Sequence, residues 1–327
     1  MAIEPATRDA VPTASLELDE APFDWGTYVK WLVDTHTTMS AVAIRLAELR
    51  GFAEDAQSIE RALRRLRSRG QRDGGSWGRR CVRAFGVPRS ITERVRWMGH
   101  YHSRFTDLPR SVCLDLLRPW LKPPVAESPA RAWVQLGMAS VALRGRFVVE
   151  AEEHLRQAEP VARDAAQAEA LLVRAFIEHR KRPVRVPVML DEAESVILDL
   201  PSGDDRACLW ARLIDQRGYE LNVRQRDPAS AYALYETLPT PGPPFAMVRR
   251  HNGLGWSALQ LGRRDEAIAH ARVSVEQSGD AGSLRLRVMA LNLLARALDD
   301  DEGQRMHARA LAIASRLEDE ALRVRLV

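Results

Sequence analysis

Small residues return through the second part of this chain at nearly constant intervals. Ala151, Ala193, Ala231, Ala267 and Ala308 stand 42, 38, 36 and 41 residues apart, each at a similar place in a helical stretch. A recurrence on this scale means one helical unit repeated and stacked, because a single unit is too small to bury its own apolar face. Every other expectation has to fit around such an array, which spans about residues 130–327.

The clearest unit runs Leu254-Gly255-Trp256-Ser257-Ala258-Leu259-Gln260-Leu261-Gly262-Arg263-Arg264-Asp265-Glu266-Ala267, with Ala271 one turn on. The unit resembles a tetratricopeptide repeat, and the resemblance implies a helix pair with its small residues where the two helices cross closely and Gly262 in the turn between them. It departs from that pattern at His251, where an aromatic is usual, and at Gly279, where proline is usual. Weaker copies lie at Leu136-Gly137 with Gly145 and Ala151, at Asp191 to Glu194, at Asp227 to Tyr235, and at Leu294-Ala295 with Ala308. The resemblance implies four to five helix pairs with a concave face that receives a protein or peptide. Self-association as a homodimer is the alternative use of such a face. The segments Arg180 to Pro187 and Thr237 to Pro244 read as loops, and Asp299 to Glu302 as an exposed acidic turn.

Upstream the charge changes. Between Arg61 and Arg104 there are 13 arginines and two acids, Asp73 and Glu93, for a net +11 against +4 for the whole chain. The remainder is therefore −7. The preference for arginine over lysine (45 against three) looks like GC-rich codon usage, but that bias does not remove acids. A cationic surface this dense repels itself, and a phosphate backbone is its commonest partner.

Helical periodicity begins at Phe23. A second segment runs from Met39 to Leu49 and closes at Gly51. After a short turn, Phe52 to Asp55, a third runs from Gln57 to Arg69 and closes at Gly70. At about 100° per residue, Ile59, Ala62, Leu63 and Leu66 share one face of that third helix. Gln57, Arg61, Arg64, Arg65 and Ser68 share the other. Arginine can grip guanine or phosphate, and glutamine can grip adenine. Helix, tight turn and polar-faced helix is the order of a helix-turn-helix. Asp73-Gly74-Gly75 then reads as a tight hairpin turn, so residues 25–85 resemble a winged helix-turn-helix. Arg72, Arg79, Arg80 and Arg83 would add phosphate contacts.

Ser90 to Glu93 has capping-box spacing and opens a helix toward Arg104. His100 and His102, placed i and i+2 on that helix beside Asp107, would face different ways and make a poor chelating pair. No metal site and no cofactor is expected. A helix from Leu108 to Arg118 follows, and the Pro-rich stretch 122–129 marks a linker.

Residues 1–22 are acidic and lack an apolar core, so they read as a disordered leader and not a signal peptide. No apolar run is long enough to span a membrane. Cys81, Cys113 and Cys208 show no metal or disulfide spacing, which suits the cytoplasm. Phosphate-loop, nucleophile-elbow and metalloprotease motifs are absent, and paired acids such as Glu152-Glu153 and Asp204-Asp205 read as solvated. No enzyme is expected.

The whole reads as a mostly all-α protein: a basic helix-turn-helix or winged-helix-like head at 23–121, followed by a tetratricopeptide-like α-solenoid. The layout resembles bacterial regulators that join such a head to a repeat sensor. Duplex DNA is the expected partner of the head. A pure protein-interaction adaptor, with the basic head docked on an acidic surface, and an RNA-binding protein are the rivals.

Overall fold

The computed structural model describes residues 23–49, 54–298 and 300–326. The acidic leader at 1–22, Gly51 and the first half of the turn at 52–55 lie outside the described residues. Among those described there are seventeen α-helices, α1 to α17, and no strand.

Four helices form the basic head: α1 (Trp25–His36), α2 (Met39–Glu48), α3 (Ala56–Arg67) and α4 (Gly75–Phe85). Asp24, Thr38 and Asp55 cap the first three by accepting from Thr27, Ala41 and Ser58 N–H groups. Each cap satisfies one of the backbone donors that a helix start leaves open. The core joins Trp25, Tyr28 and Leu32 of α1 to Val42 and Leu46 of α2, to Ile59, Leu63 and Leu66 of α3, and to Cys81 and Val82 of α4.

The expected hairpin wing is not formed. Asp73-Gly74-Gly75 does turn the chain, with Gly75 at φ +64° and its N–H bound to the Asp73 carboxylate at 2.6 Å. The turn opens α4 and not a strand. Its glycines serve close packing: a Cβ at Gly74 or Gly78 would lie 2.3 or 2.7 Å from the Trp25 ring. Trp25 Nε1 donates to the Arg72 carbonyl at 2.9 Å, so the indole pins the turn as well as filling the core.

Helix α5 (Arg89–Gly99) starts after Pro88 without a side-chain cap. Ser90 is inside the helix, and Glu93 pairs instead with Arg89 at 2.6 Å. The helix stops at Gly99, short of Arg104, and Gly99 lies so close to α7 that a Cβ there would be 2.4 Å from the Trp133 carbonyl oxygen. A 3₁₀ turn (Arg104–Asp107) leads into α6 (Arg110–Leu117). Val95, Met98, Phe105, Cys113 and Leu117 pack into the same core as α7 (Arg131–Arg144). Stretch 122–129 is packed too: Val125 and Ser128 are buried, and Glu127 accepts from Gly74 N–H at 2.9 Å.

Five helix pairs follow: α7 with α8 (Val148–Ala158), α9 (Asp164–Lys181) with α10 (Val186–Leu198), α11 (Asp204–Tyr219) with α12 (Pro228–Glu236), α13 (Pro244–Gln260) with α14 (Arg264–Asp280), and α15 (Leu284–Leu298) with α16 (Asp301–Arg316). Ala151, Ala193, Ala231 and Ala267 are buried in the second helices of their pairs. Ala308 is exposed. The close-packed small residue in the last pair is Gly303, 36 residues after Ala267, where a Cβ would lie 2.8 Å from the Ala295 carbonyl oxygen. Asp300 is a helix cap, accepting from Gly303 N–H at 2.9 Å, and not only an exposed turn.

The last helix, α17 (Glu320–Leu326), packs back on α7. Arg110 N–H and Ser111 N–H reach Leu317 and Glu318 at 3.1 and 2.8 Å. Arg144 and Arg285 converge on Asp319, which is 0% exposed. The stack thus closes on its own beginning and leaves a space at its centre. No helix among the described residues is long and apolar enough to cross a membrane.

Candidate functional site

Two regions carry unspent chemistry. The first is the basic face of α3. Gln57, Arg61, Arg64, Arg65 and Ser68 are all exposed, and the opposite stripe of Ile59, Ala62, Leu63 and Leu66 is buried. Arg72, Arg79 and Arg83 are exposed as well. Arg64 is held by Glu60 at 2.6 Å and Arg79 loosely by Asp73 at 3.4 Å. Arg80 is half-buried, tied to Glu54 at 2.8 Å and laid over the Trp77 ring, which removes it from the open surface. Among the described residues Arg61, Arg65 and Arg83 form no ion pair. The acidic array does not cover this face. Of the basic stretch, Arg96 of α5 docks on the array, on Asp205, and Arg104 reaches the Gly282 carbonyl at 3.5 Å.

The second region is the central cavity, about 560 Å³. Asparagines at 222, 252 and 292 line it, and each carries a buried amide oxygen without a hydrogen-bond partner, as does Gln216. Asn222 sits on a π-helical turn, Glu220–Gln225, that ends with Arg226 in the left-handed region at φ +55°. Such turns interrupt the regular ladder and are frequent at functional sites. Asn222 Nδ2 donates to Ser257 Oγ at 3.0 Å, which aims the amide.

Tyr101 enters this cavity from the segment joining α5 to α6. Three guanidiniums surround its ring, Arg212 at 4.4 Å, Arg285 at 5.0 Å and Arg249 at 5.8 Å from the centroid. Burial alone would raise the phenol pKa, but the charges of Arg285, Arg249 and Arg212 outweigh it and hold the phenol at about 8. Each arginine also has a carboxylate: Glu169 for Arg212, Asp215 for Arg249 at 2.7 Å and Asp319 for Arg285 at 2.8 Å. These three guanidiniums are thus each paired, but the cavity wall as a whole is mostly apolar and carries six arginines against two aspartates. Its four unpartnered amide oxygens suit a ligand that supplies N–H groups, and Arg144 Nε and Arg249 Nε are open donors beside them.

Sequence reasoning missed the cavity entirely, since its polar residues come from all five helix pairs, from α17 and from the segment joining α5 to α6. It also misjudged His100 and His102. With α5 ending at Gly99, His100 is extended (φ −71°, ψ 125°), and the two rings come together with centroids 4.4 Å apart. Asp107 is not their partner: it accepts from Arg285 N–H at 3.0 Å. Their partners are Asp205, expected to be solvated, and Glu169.

No family model matches this chain, and neither a curated protein nor a solved structure matches it.

Proposed function

We propose that the protein is a DNA-binding regulator whose helical array takes a peptide in its central cavity. The observation that carries the reading is the α3 face: several guanidiniums, an amide and a hydroxyl exposed together on a helix whose other side is anchored in a core. Holding like charges side by side costs free energy that a polyanion offsets. Gln57, Arg61, Arg64, Arg65 and Ser68 would contact the duplex, with Arg72, Arg79 and Arg83 on phosphates. Arg80 has a smaller part in this reading, since Glu54 and Trp77 hold it.

The array's share follows from the cavity. Buried amide oxygens without partners are costly unless a ligand supplies donors, and backbone N–H groups of an extended peptide are such donors. The segment 100–107 belongs to both parts, since it follows α5 of the basic region and lines the cavity. A ligand pressing on Tyr101 would thus be felt by the head.

The test uses the full chain and a labelled random duplex. Anisotropy should report binding whose log–log salt slope is negative by about 0.9 per phosphate neutralised. Equal preference for structured RNA would favour the RNA reading, and no binding by a folded protein at low salt would favour the adaptor.

A further inference from the structure

The junction between the connector and the array carries a second, independent chemistry. Gly99 lets α5 pass against the Trp133 backbone, and the chain then turns out of the helix. The His100 ring comes to rest 4.2 Å from the Trp133 ring, centroid to centroid. His100 is 4% exposed and Glu169, from α9, is 1% exposed. His102 is nearly buried beside them. Each of these three side chains offers a ligand-type atom within 4.8 Å of the other two.

Hydrogen bonding sorts the ring nitrogens. Asp205 backs both rings on one side: its Oδ1 lies 3.2 Å from His102 Nε2, and its Oδ2 lies 3.8 Å from His100 Nε2. On the other side His100 Nδ1 faces Glu169 Oε2 at 3.8 Å. His100 Nδ1, His102 Nδ1 and Glu169 Oε2 are all buried, and none has a hydrogen-bond partner. A carboxylate behind an imidazole that presents its other nitrogen is the arrangement that orients histidine for metal binding.

We propose that His100, His102 and Glu169 bind one divalent transition-metal ion of the zinc class, through Nδ1, Nδ1 and Oε2. Two imidazoles and one carboxylate suit zinc, cobalt or nickel better than calcium or magnesium. Bonds of about 2.0–2.2 Å require the three atoms to close in by rotation of their side chains. His100 Nε2 now accepts from Arg96 Nε at 3.1 Å. With metal on Nδ1, that nitrogen takes the proton and donates to Asp205, while Arg96 keeps its pairing with Asp205. Arg212 stays on the other oxygen of Glu169. The ion would staple the connector, through two residues, to α9 of the second helix pair. The site does not depend on DNA binding or on a peptide in the cavity.

The test is a titration of the chelator-treated full chain with Co²⁺ alone, followed by visible absorption and calorimetry. One Co²⁺ per chain, with d–d bands that Zn²⁺ abolishes, is the expected result. His102→Gln should lose the bands and weaken affinity at least tenfold. Asp205→Asn leaves all three ligands in place and should weaken it about 10- to 100-fold. His251 and His270 form the other close histidine pair, with Nδ1 atoms 3.1 Å apart, so His251→Gln serves as the control and should bind as the parent does. No bands in the folded parent, or bands that survive His102→Gln and vanish in His251→Gln, would overturn the proposal.

Discussion

Arg249 Nη2 donates to the Tyr101 hydroxyl at 3.3 Å across 148 residues of sequence. This bond joins the connector below the basic head to the fourth helix pair of the array, inside the central cavity. Arg249 is itself anchored by Asp215 at 2.7 Å. The connector is thus part of the cavity wall, and the ionisation of its tyrosine reports on the guanidiniums around it.

Tyr101 should therefore titrate early. Its folded pKa is about 8 against an ordinary 10, because Arg285, Arg249 and Arg212 outweigh burial. Between those values the unfolded chain holds a proton that the folded chain has released, so stability should rise with pH through that window. The increment is complete above the unfolded value and lost as pH falls through the folded one. Ultraviolet difference absorption should show one phenolate forming near pH 8, absent in Tyr101→Phe. A midpoint of 10 for every tyrosine would contradict the arginine cage.

Asp319 should hold the stack closed. It is fully buried, and the Nε atoms of Arg285 and Arg144 lie 2.8 and 3.5 Å from it. Asp319→Asn leaves two buried guanidiniums without their charge partner, a change that costs about 3–5 kcal/mol. Urea melts should show that loss, and hydrogen exchange should quicken first in α17. A stable variant with protected α17 would mean that closure rests elsewhere.

Gly78→Ala places a methyl 2.7 Å from the Trp25 ring. Overpacking of this kind costs about 1–3 kcal/mol. The loss should appear in thermal melts followed by tryptophan emission. An unchanged melting temperature would mean that α1 and α4 do not pack as described.

His251 is held at about 4 by burial, by His270 and by Arg250. The unfolded imidazole takes its proton near 6.5, so stability should fall as pH drops from there toward 4. His251→Gln should flatten that part of the stability curve. A slope unchanged in the variant would assign the acid sensitivity to other groups.

Much of the fold was legible from spacing alone. The α3 faces came out as the 3.6-residue period requires, since one apolar stripe decides which side is buried. The helical array was legible because small residues recur where helices cross. Ala308 misled because alanine is common on exposed helix faces, and only the approach to the Ala295 carbonyl singles out Gly303. Asp73-Gly74-Gly75 misled for a related reason: glycine serves both a hairpin and a close contact with Trp25. The histidine cluster was illegible because its geometry depends on where α5 stops. Gly99 carries no signal of its close approach to Trp133 on another helix, and Glu169 and Asp205 lie far along the chain.

The most direct test of the regulator reading is anisotropy of the full chain with duplex DNA, beside a variant carrying Arg61→Glu, Arg64→Glu and Arg65→Glu. The expected result is steeply salt-dependent binding by the parent and at least a tenfold loss in the variant, with helix content kept and melting lowered only slightly, since these side chains are exposed and Arg64 gives up a surface pair with Glu60. Equal binding by both proteins, or none by the parent at low salt, would contradict the account.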